Sequence, residues 1–549
     1  MKGKFGMIMA FILLCLCSGN YAQFNFSNTP VWLVQGNYPT GLGWNDFDGN
    51  GYPDVAVSMG LDIVNGPTMI YYNNEGIIST IPGWTSGYQA PGCQLYTGDF
   101  DHNGYPDISV ASLGLTSTGL APVPNYLFMN DNGMPSWPGW LSQPGNSFSC
   151  SGGDINGDGY IDLAFSRGDY ATQKKQQAIL FLNAGGVFDS IPDWYSDSAY
   201  YGTDVAFADV DLDGDLDMVL GARTKGVMLF YSQNGILETS PSWNSHQVSG
   251  GRQIAFGDVD NDGYPDLAVA APGSKFYLFK NINGVLDTIP FWASVKGNEP
   301  SAVAWADADG DGDLDLAAGS WNGALGIFEN TGGSLADTFA WSKSIGSGTQ
   351  QIAWIDYKND VLIDTVKIFH GDGLRKVFYT GKQPLQRIVS IEKNGAVLPG
   401  NQYCYDLTCG WISFSFPPSA SDTIVIHYSF SLAPDLSVTN YSSAKLYENL
   451  NTSSAVMQHF RNPDRPVLDQ NIPNPCCEIT TIRFSLHRKD KVSIKLYDSM
   501  GKEIRTCLQA PLGAGDHSLT VCTDDLRRGL YTYILSVNGF IESRKMIVQ

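Results

Sequence analysis

The sequence predicts an all-β protein: a seven-bladed β-propeller, with a small β-sandwich inserted in its last blade and a second β-sandwich at its C-terminus. Three observations predict it. A nine-residue acidic segment recurs, starting at Asp46, Asp99, Asp154, Asp209, Asp258 and Asp307, with a damaged copy at Asp356. Successive starts lie 53, 55, 55, 49, 49 and 49 residues apart. A Trp (Trp32, Trp84, Trp140, Trp194, Trp243, Trp292, Trp341) precedes every start by 14 or 15 residues. A repeat of about 50 residues with short apolar strands has the dimensions of a propeller blade.

The acidic segment is clearest in the fifth copy, Asp258-Val-Asp-Asn-Asp-Gly-Tyr-Pro-Asp266. Positions 1, 3, 5 and 9 carry oxygen donors, and position 7 varies, so its backbone carbonyl is the expected contributor. Such a set supplies the six to eight oxygens that Ca²⁺ takes at about 2.3–2.6 Å. The candidate ligands are Asp46, Asp48, Asn50, Tyr52 and Asp54 in the first copy; Asp99, Asp101, Asn103, Tyr105 and Asp107 in the second; and Asp154, Asn156, Asp158, Tyr160 and Asp162 in the third. They continue with Asp209, Asp211, Asp213, Asp215 and Asp217; Asp258, Asp260, Asp262, Tyr264 and Asp266; and Asp307, Asp309, Asp311, Asp313 and Asp315. Position 6 is Gly in all six, as a reversal with φ > 0 requires. Acidic surface turns use the same residue types, but six copies in register exceed that reading. Mg²⁺ rarely accepts an all-protein cage. The flanks Gln253-Ile-Ala-Phe256 and Asp266-Leu-Ala-Val269 are short and β-compatible, so the loop closes a strand hairpin rather than an EF-hand.

Each loop leads into an apolar strand such as Asp217-Met-Val-Leu220, then a strand ending in a polar turn such as Phe276-Tyr-Leu-Phe-Lys-Asn281, then the Trp strand, then the strand entering the next loop. The repeated Trp is expected to pack between blades. Trp32 has no blade before it, while Pro434-Asp-Leu-Ser-Val438 and Ala444-Lys-Leu-Tyr-Glu-Asn449 supply two strands of a last blade that lacks its Trp strand. The N-terminal strand therefore closes that blade, leaving no open sheet edge.

The last loop is interrupted. Gln351 to Asp360 aligns with Gln253 to Asp262, but the Pro-Asp continuation reappears only at Pro434-Asp435. Lys358 stands where a carboxylate belongs, so this copy is expected to bind no calcium. Residues 361–433 carry strands at Thr365–Phe369, Arg387–Ile391, Gly410–Ser415 and Thr423–Tyr428 and suit a small sandwich, which either gates or extends a binding surface or is a passive decoration.

The formal net charge is −22, and the six loops hold 23 of the 55 acidic residues. Six structural Ca²⁺ would bring the charge to about −10, so much of the acidity belongs to metal sites. No basic stripe suits nucleic acid. Lys2 and Lys4 precede an apolar run from Phe5 to Cys17 and the segment Ser18–Gln23, a signal peptide cleaved near Ala22. The run is too short for a stable membrane anchor, and the mature chain has no other transmembrane candidate. Of the remaining cysteines, Cys404 and Cys409 are close enough in sequence for a local bridge, though pairing is not deducible from sequence.

The organisation is thus a leader over 1–22, propeller over 23–360, insert over 361–433, the rest of the last blade over 434–451, a linker over 452–468 and a terminal sandwich over 469–549.

The loop, strand and Trp pattern resembles the FG-GAP/VCBS repeat family, which includes the integrin α-subunit propeller. That resemblance implies a seven-bladed propeller with calcium in hairpin loops on one face. Asn50, Asn103 and Asn156 depart from the all-Asp pattern and should weaken their sites. The terminal segment, with Asn471-Ile-Pro-Asn-Pro475, Leu496-Tyr-Asp-Ser-Met-Gly501, Gly513-Ala-Gly515, Gly529-Leu-Tyr531 and Lys545-Met-Ile-Val548, resembles a type IX secretion sorting domain. It implies a bacterial protein that engages the type IX secretion machinery and is released or attached at the cell surface. The functional expectation is a calcium-stabilised propeller that binds an extracellular glycan or protein ligand in adhesion or capture. The alternative is a polysaccharide-degrading lyase or hydrolase. The chain has no Gly-x-Ser-x-Gly or His-Glu-x-x-His motif, and no catalytic residue stands out.

Overall fold

The computed structural model describes residues 24–451, except 37, 61–63, 115–121, 246–247, 249 and 296–298, together with residues 467–468, 476, 479–486, 489–498, 502–513, 515–523, 526–537 and 540–548. The leader read at 1–22 lies outside the described residues, as does all but the end of the linker. The chain divides into two compact units, Met1–Val456 and Met457–Gln549. No helix among the described residues is long and apolar enough to cross a membrane.

Among the described residues, the first unit contains seven four-stranded antiparallel sheets built on one plan, each with a Trp on its outermost strand. In the first sheet the strands run Pro39–Asn45, Asp54–Met59, Thr68–Tyr71 and Trp84–Thr85, from innermost to outermost. The innermost strands of the others are Gly92–Gly98, Ser147–Gly153, Gly202–Ala208, Gln253–Gly257, Pro300–Ala306 and Thr349–Ile355. Each touches the next, and the last touches the first, so the seven form a ring. The seventh sheet pairs Thr349–Ile355 with Asp435–Asn440, then Ser443–Tyr447, then Trp32–Gln35, with Trp32 opposite Leu446. The first and last described strands of the ring share one sheet, which removes the free edge a linear array would present.

The second strand of each sheet is buried on both faces, as Asp54–Met59 is, because sheets pack on either side of it. The ring tryptophans lie edge-on against an aromatic of the following sheet: Trp84 meets Phe128 at 5.1 Å, Trp194 meets Phe230 at 5.6 Å and Trp292 meets Phe328 at 5.0 Å. That is the offset geometry favoured by ring quadrupoles. It fits packing between sheets.

A second device holds the sheets together. The Asp at loop position 9 accepts two backbone N–H groups: Asp54 takes Phe47 N at 3.0 Å and Asn73 N at 2.7 Å. Asn73 then donates its side-chain amide to Pro53 O in its own sheet and to Tyr357 O in the neighbouring one. Asn130, Asn183, Asn281, Asn330 and Asn449 repeat this clamp onto Phe47, Phe100, Val210, Val259 and Ala308. The fourth sheet has Ser232 instead, and its buried hydroxyl has no partner.

Residues 361–433 form two small sheets. One orders Leu362–His370, Thr423–Ser431, Leu385–Lys393 and Ala396–Val397; the other orders Val377–Tyr379, Trp411–Phe414 and Tyr403–Asp406. Strands Val377–Tyr379 and Tyr403–Asp406 escaped the sequence reading because each is only three or four residues long. Cys404 and Cys409 are not bridged. Cys404 is packed in the apolar cluster around Trp411, and the Cys409 backbone N–H is held by Asp406 at 2.7 Å.

The second unit carries a three-stranded sheet, Val467–Leu468, Ile479–Leu486 and Gly515–Cys522, and a four-stranded one, Glu503–Leu512, Asp490–Asp498, Gly529–Val537 and Phe540–Val548. Ile482, Phe484, Ile494, Leu496, Tyr533, Leu535 and Met546 form its core. Val467 and Leu468, read as the end of the linker, pair instead with Ser485 and Phe484.

Candidate metal centres

Each acidic loop joins the innermost strand of a sheet to its second strand, so all six stand at the same end of the strands. The backbone enters the left-handed region twice per loop. Position 6 does so as expected, with Gly51 at φ +91° and Gly312 at +101°. Position 4 does so too, at His102, Leu212 and Asn261 with φ of 58°, 58° and 57°. The double reversal turns alternate side chains inward. The position 1 carboxylate then accepts from positions 5 and 6: Asp258 takes Asp262 N at 2.9 Å and Gly263 N at 2.8 Å. Position 5 accepts from position 7, as Asn50 does from Tyr52 N at 2.8 Å.

The carboxylate oxygens converge. Within 4.8 Å of one another lie oxygens of Asp46, Asp48 and Asp54; of Asp99, Asp101 and Asp107; of Asp209, Asp211 and Asp217; of Asp258, Asp260 and Asp262; and of Asp307, Asp309 and Asp311. Asp266 and Asp315 lie outside the last two groups and serve the clamp described above. Asp213, Asp215 and Asp313 also fall outside the groups. Asp313 instead accepts from Asn261 Nδ2 at 2.9 Å and Gly332 N at 2.6 Å. In the third loop Asn156 replaces an acid, leaving Asp154, Asp158 and Asp162 as its charges.

The clusters are electrostatically costly as bare acids. Burial first, and neighbouring carboxylates after it, push Asp209 and Asp309 up to about 8. Burial and the Asp48 and Asp46 charges raise Asp54 to about 7, and burial with Asp211 and Asp209 raises Asp217 to about 9. Asp209 Oδ1, Asp260 Oδ1 and Asp307 Oδ1 are buried and accept no hydrogen bond. Buried polar atoms without partners are rare and costly. An all-oxygen, acceptor-only donor set suits a hard cation, so these clustered acids fit a bound metal ion.

Most of the loop residues that form these clusters lie in segments that match a repeat profile. Residues 46–110, 213–269 and 258–318 match the profile described as FG-GAP-like repeat.

The chain carries FG-GAP-like repeats.

Residues 472–549 match the Secretion system C-terminal sorting domain. That tail marks a bacterial protein for the type IX system and hence for secretion or attachment at the cell surface. No curated protein matches the chain. Two crystal structures described as BBS1N in complex with ARL6DN are similar to it. The mercury-soaked one has a TM-score of 0.42 and 9% identity, covering 79% of this chain and 98% of the other. The lead-soaked one has a TM-score of 0.32 and 11% identity, covering 78% and 98%.

The FG-GAP-like loops are not equivalent. Lys280 pairs with Asp260 in the fifth, setting an ammonium against the acid cluster. In the seventh, Lys358 pairs with Glu448, while Asp435 keeps the position 9 role across the insertion by accepting Asn449 N at 2.7 Å and Tyr357 N at 3.3 Å.

The insert stands on the third and fourth loops. Ser413 Oγ donates to Asp154 Oδ2 at 2.8 Å, Lys376 Nζ to Gly157 O at 2.6 Å, and Asp209 N to Tyr379 OH at 2.8 Å. It also reaches the second sheet, where Tyr96 OH donates to Asp406 at 3.0 Å, and the fifth, where Gln383 Nε2 donates to Phe256 O at 2.8 Å. Trp411, 1% exposed, joins one apolar cluster with Phe100, Ile161 and Phe207 of the ring. The insert is therefore built into the loop end. Sequence reading missed the clamp asparagines, although an Asn recurs at that strand end in six of the seven sheets. It also missed Ser413, Lys376 and Tyr379, for which the sequence carries no signal.

Proposed function

We propose that this secreted or surface protein is a calcium-stabilised, seven-bladed propeller that binds a glycan or protein ligand in adhesion or capture. The observation that carries the calcium part is the set of buried, partnerless oxygens on Asp209, Asp260 and Asp307 inside converging acid clusters. In the fifth loop Asp258, Asp260 and Asp262, whose oxygens converge, would hold the ion together with the Tyr264 carbonyl, with the clamp residue Asp266 adding its charge, and the other five loops would use the equivalent residues. The ion supplies charge neutralisation and a rigid hairpin, and no bond-making step is assigned to it.

Ligand binding is supported by the opposite end of the strands, away from the loops and the insert. Arg223 lies over Tyr170 at 5.0 Å, Lys175 over Tyr201 at 5.4 Å and Arg252 over Trp321 at 4.4 Å. Rigid aromatics joined to arginine are the usual anchors of a binding surface. Two measurements test this reading. Elemental analysis of the purified mature chain should find several equivalents of calcium. Glycan-array and matrix-protein binding should show a saturable ligand. No calcium together with an unchanged melting curve in EDTA overturns the metal assignment, and silence on every array overturns the binding role.

A further inference from the structure

Six of the seven innermost strands share an irregularity at the end away from the acidic loops. The pairing register slips between Pro39 and Gly41, Gly92 and Leu95, Ser147 and Ser149, Gly202 and Asp204, Pro300 and Ala302, and Thr349 and Gln351. A bulge leaves one residue unpaired and re-aims its side chain. The bulged residues Thr40, Cys93, Gln94, Phe148, Thr203 and Gln350 line one small cavity together with Arg252, which immediately precedes the fifth innermost strand. Six of the seven sheets thus contribute to a space on the ring axis.

Two donors in that cavity lack partners. Arg252 is 8% exposed and Gln350 3% exposed. Arg252 Nη2 donates to Gln350 Oε1 at 2.8 Å. Arg252 Nε and Gln350 Nε2 are buried and donate to nothing. Among the described residues no carboxylate forms an ion pair with Arg252. Asp204, the acid whose charge it feels, already accepts Ser149 Oγ at 2.6 Å and Ile254 N at 2.9 Å. The Trp321 ring at 4.4 Å and the Phe148 ring at 5.6 Å flank the guanidinium and fix its plane. A buried cation without a contact anion is costly, and losing one partner of a buried pair costs several kcal/mol. The unmet groups are donors only, so an acceptor completes them, and the guanidinium charge favours one that is negative.

We infer that the axial cavity opposite the acidic loops is a carboxylate-binding site, with Arg252 as the charge partner and Gln350 as the second donor. The inference rests on the ligand-binding reading above and narrows it to acidic ligands. The cavity is too small for a sugar ring, so only the carboxylate of a ligand whose ring stays outside would reach the two donors. A planar guanidinium matches a carboxylate in two parallel hydrogen bonds. Tyr170, Tyr201 and Trp321 stand at the same end of the strands, where the rest of an acidic sugar would lie.

The test uses the mature full chain with three probes: acetate, glucuronate and an oligogalacturonate, each titrated by calorimetry against neutral glucose. Saturable heat from an acidic probe and none from glucose is expected. Acetate binding as tightly as the sugars identifies a small free carboxylate as the ligand. Tighter binding of the oligosaccharide identifies the acidic residue of a glycan. Gln350→Glu places a carboxylate beside Arg252 inside the cavity. It should abolish binding of all acidic probes while raising the melting temperature of the unliganded protein, a combination that misfolding does not produce. Arg252→Gln should also lose binding. No heat from any acidic probe, or binding that survives both substitutions, overturns the inference. If neutral glycans or proteins still bind on the arrays in that case, the broader reading stands and only the axial site falls.

Discussion

The side-chain amide of Asn73 donates to the carbonyl oxygen of Tyr357 at 2.7 Å, across 284 positions of sequence. This bond joins the first sheet of the ring to the seventh. The same amide also holds Pro53 O at 2.9 Å, and Asn73 is fully buried. Replacing Asn73 with Ala should strand two buried carbonyls and cost about 2–6 kcal/mol, since each buried group left unmade costs about 1–3 kcal/mol. Ser232→Asn at the corresponding place of the fourth sheet should stabilise by about 1 kcal/mol. Chemical denaturation of the two variants checks both signs.

The acid clusters set a pH dependence. Asp54 and Asp107 are raised to about 7 and about 8, Asp209 to about 8 and Asp217 to about 9, each chiefly by burial. Between the unfolded value near 3.9 and these folded values, the metal-free native state binds more protons than the unfolded chain. Stability in chelator is therefore full at low pH and falls as pH rises through about 7 to 9. A cation that binds the ionised carboxylates opposes this loss. Melting curves at pH 5 and pH 8, with calcium and with EDTA, should show a small gap at pH 5 and a wide one at pH 8. Equal gaps would contradict the assignment.

Lys280 competes with metal for Asp260. Lys280→Gln should tighten calcium at the fifth loop without altering the others, because among the described residues Lys280 pairs only with that loop's Asp260. Titration calorimetry with calcium resolves this as a change in one class of sites. An unchanged isotherm would mean that the ammonium moves aside at no cost.

The insert is a cap on the loops. Trp411 is packed among ring residues, so Trp411→Ala should cost about 3–5 kcal/mol. Tyr379→Phe should cost about 1–3 kcal/mol by leaving the Asp209 N–H buried without an acceptor. Deleting residues 361–433 should lower solubility by exposing Tyr96, Phe100 and Phe207. A deletion variant as stable and soluble as the parent would show the insert to be a passive addition.

Much of this was legible in the sequence. Asp at position 1, an oxygen donor at position 3, Gly at position 6 and a Trp at constant distance are local requirements of one hairpin loop and one packing contact, so each of the six intact repeats displays them in its own residues. Trp32 and Asp435 could be assigned to one sheet because their partners were missing where the period demanded them. The insert's short strands were not legible, because three residues such as Val377–Tyr379 carry no periodicity.

The sequence by itself determined the repeat, the acid clusters and the shared last sheet, because these follow from residue type at fixed spacing along the chain. Only the tertiary structure decided that Asn73 reaches Tyr357, that Ser413 and Tyr379 stand on the third and fourth loops, and that five bulged strand starts gather around Arg252. Those pairings join residues dozens to hundreds of positions apart. Their geometry exists only once the ring has closed and burial has made each unpartnered N–H, carbonyl or charge costly enough to select its neighbour.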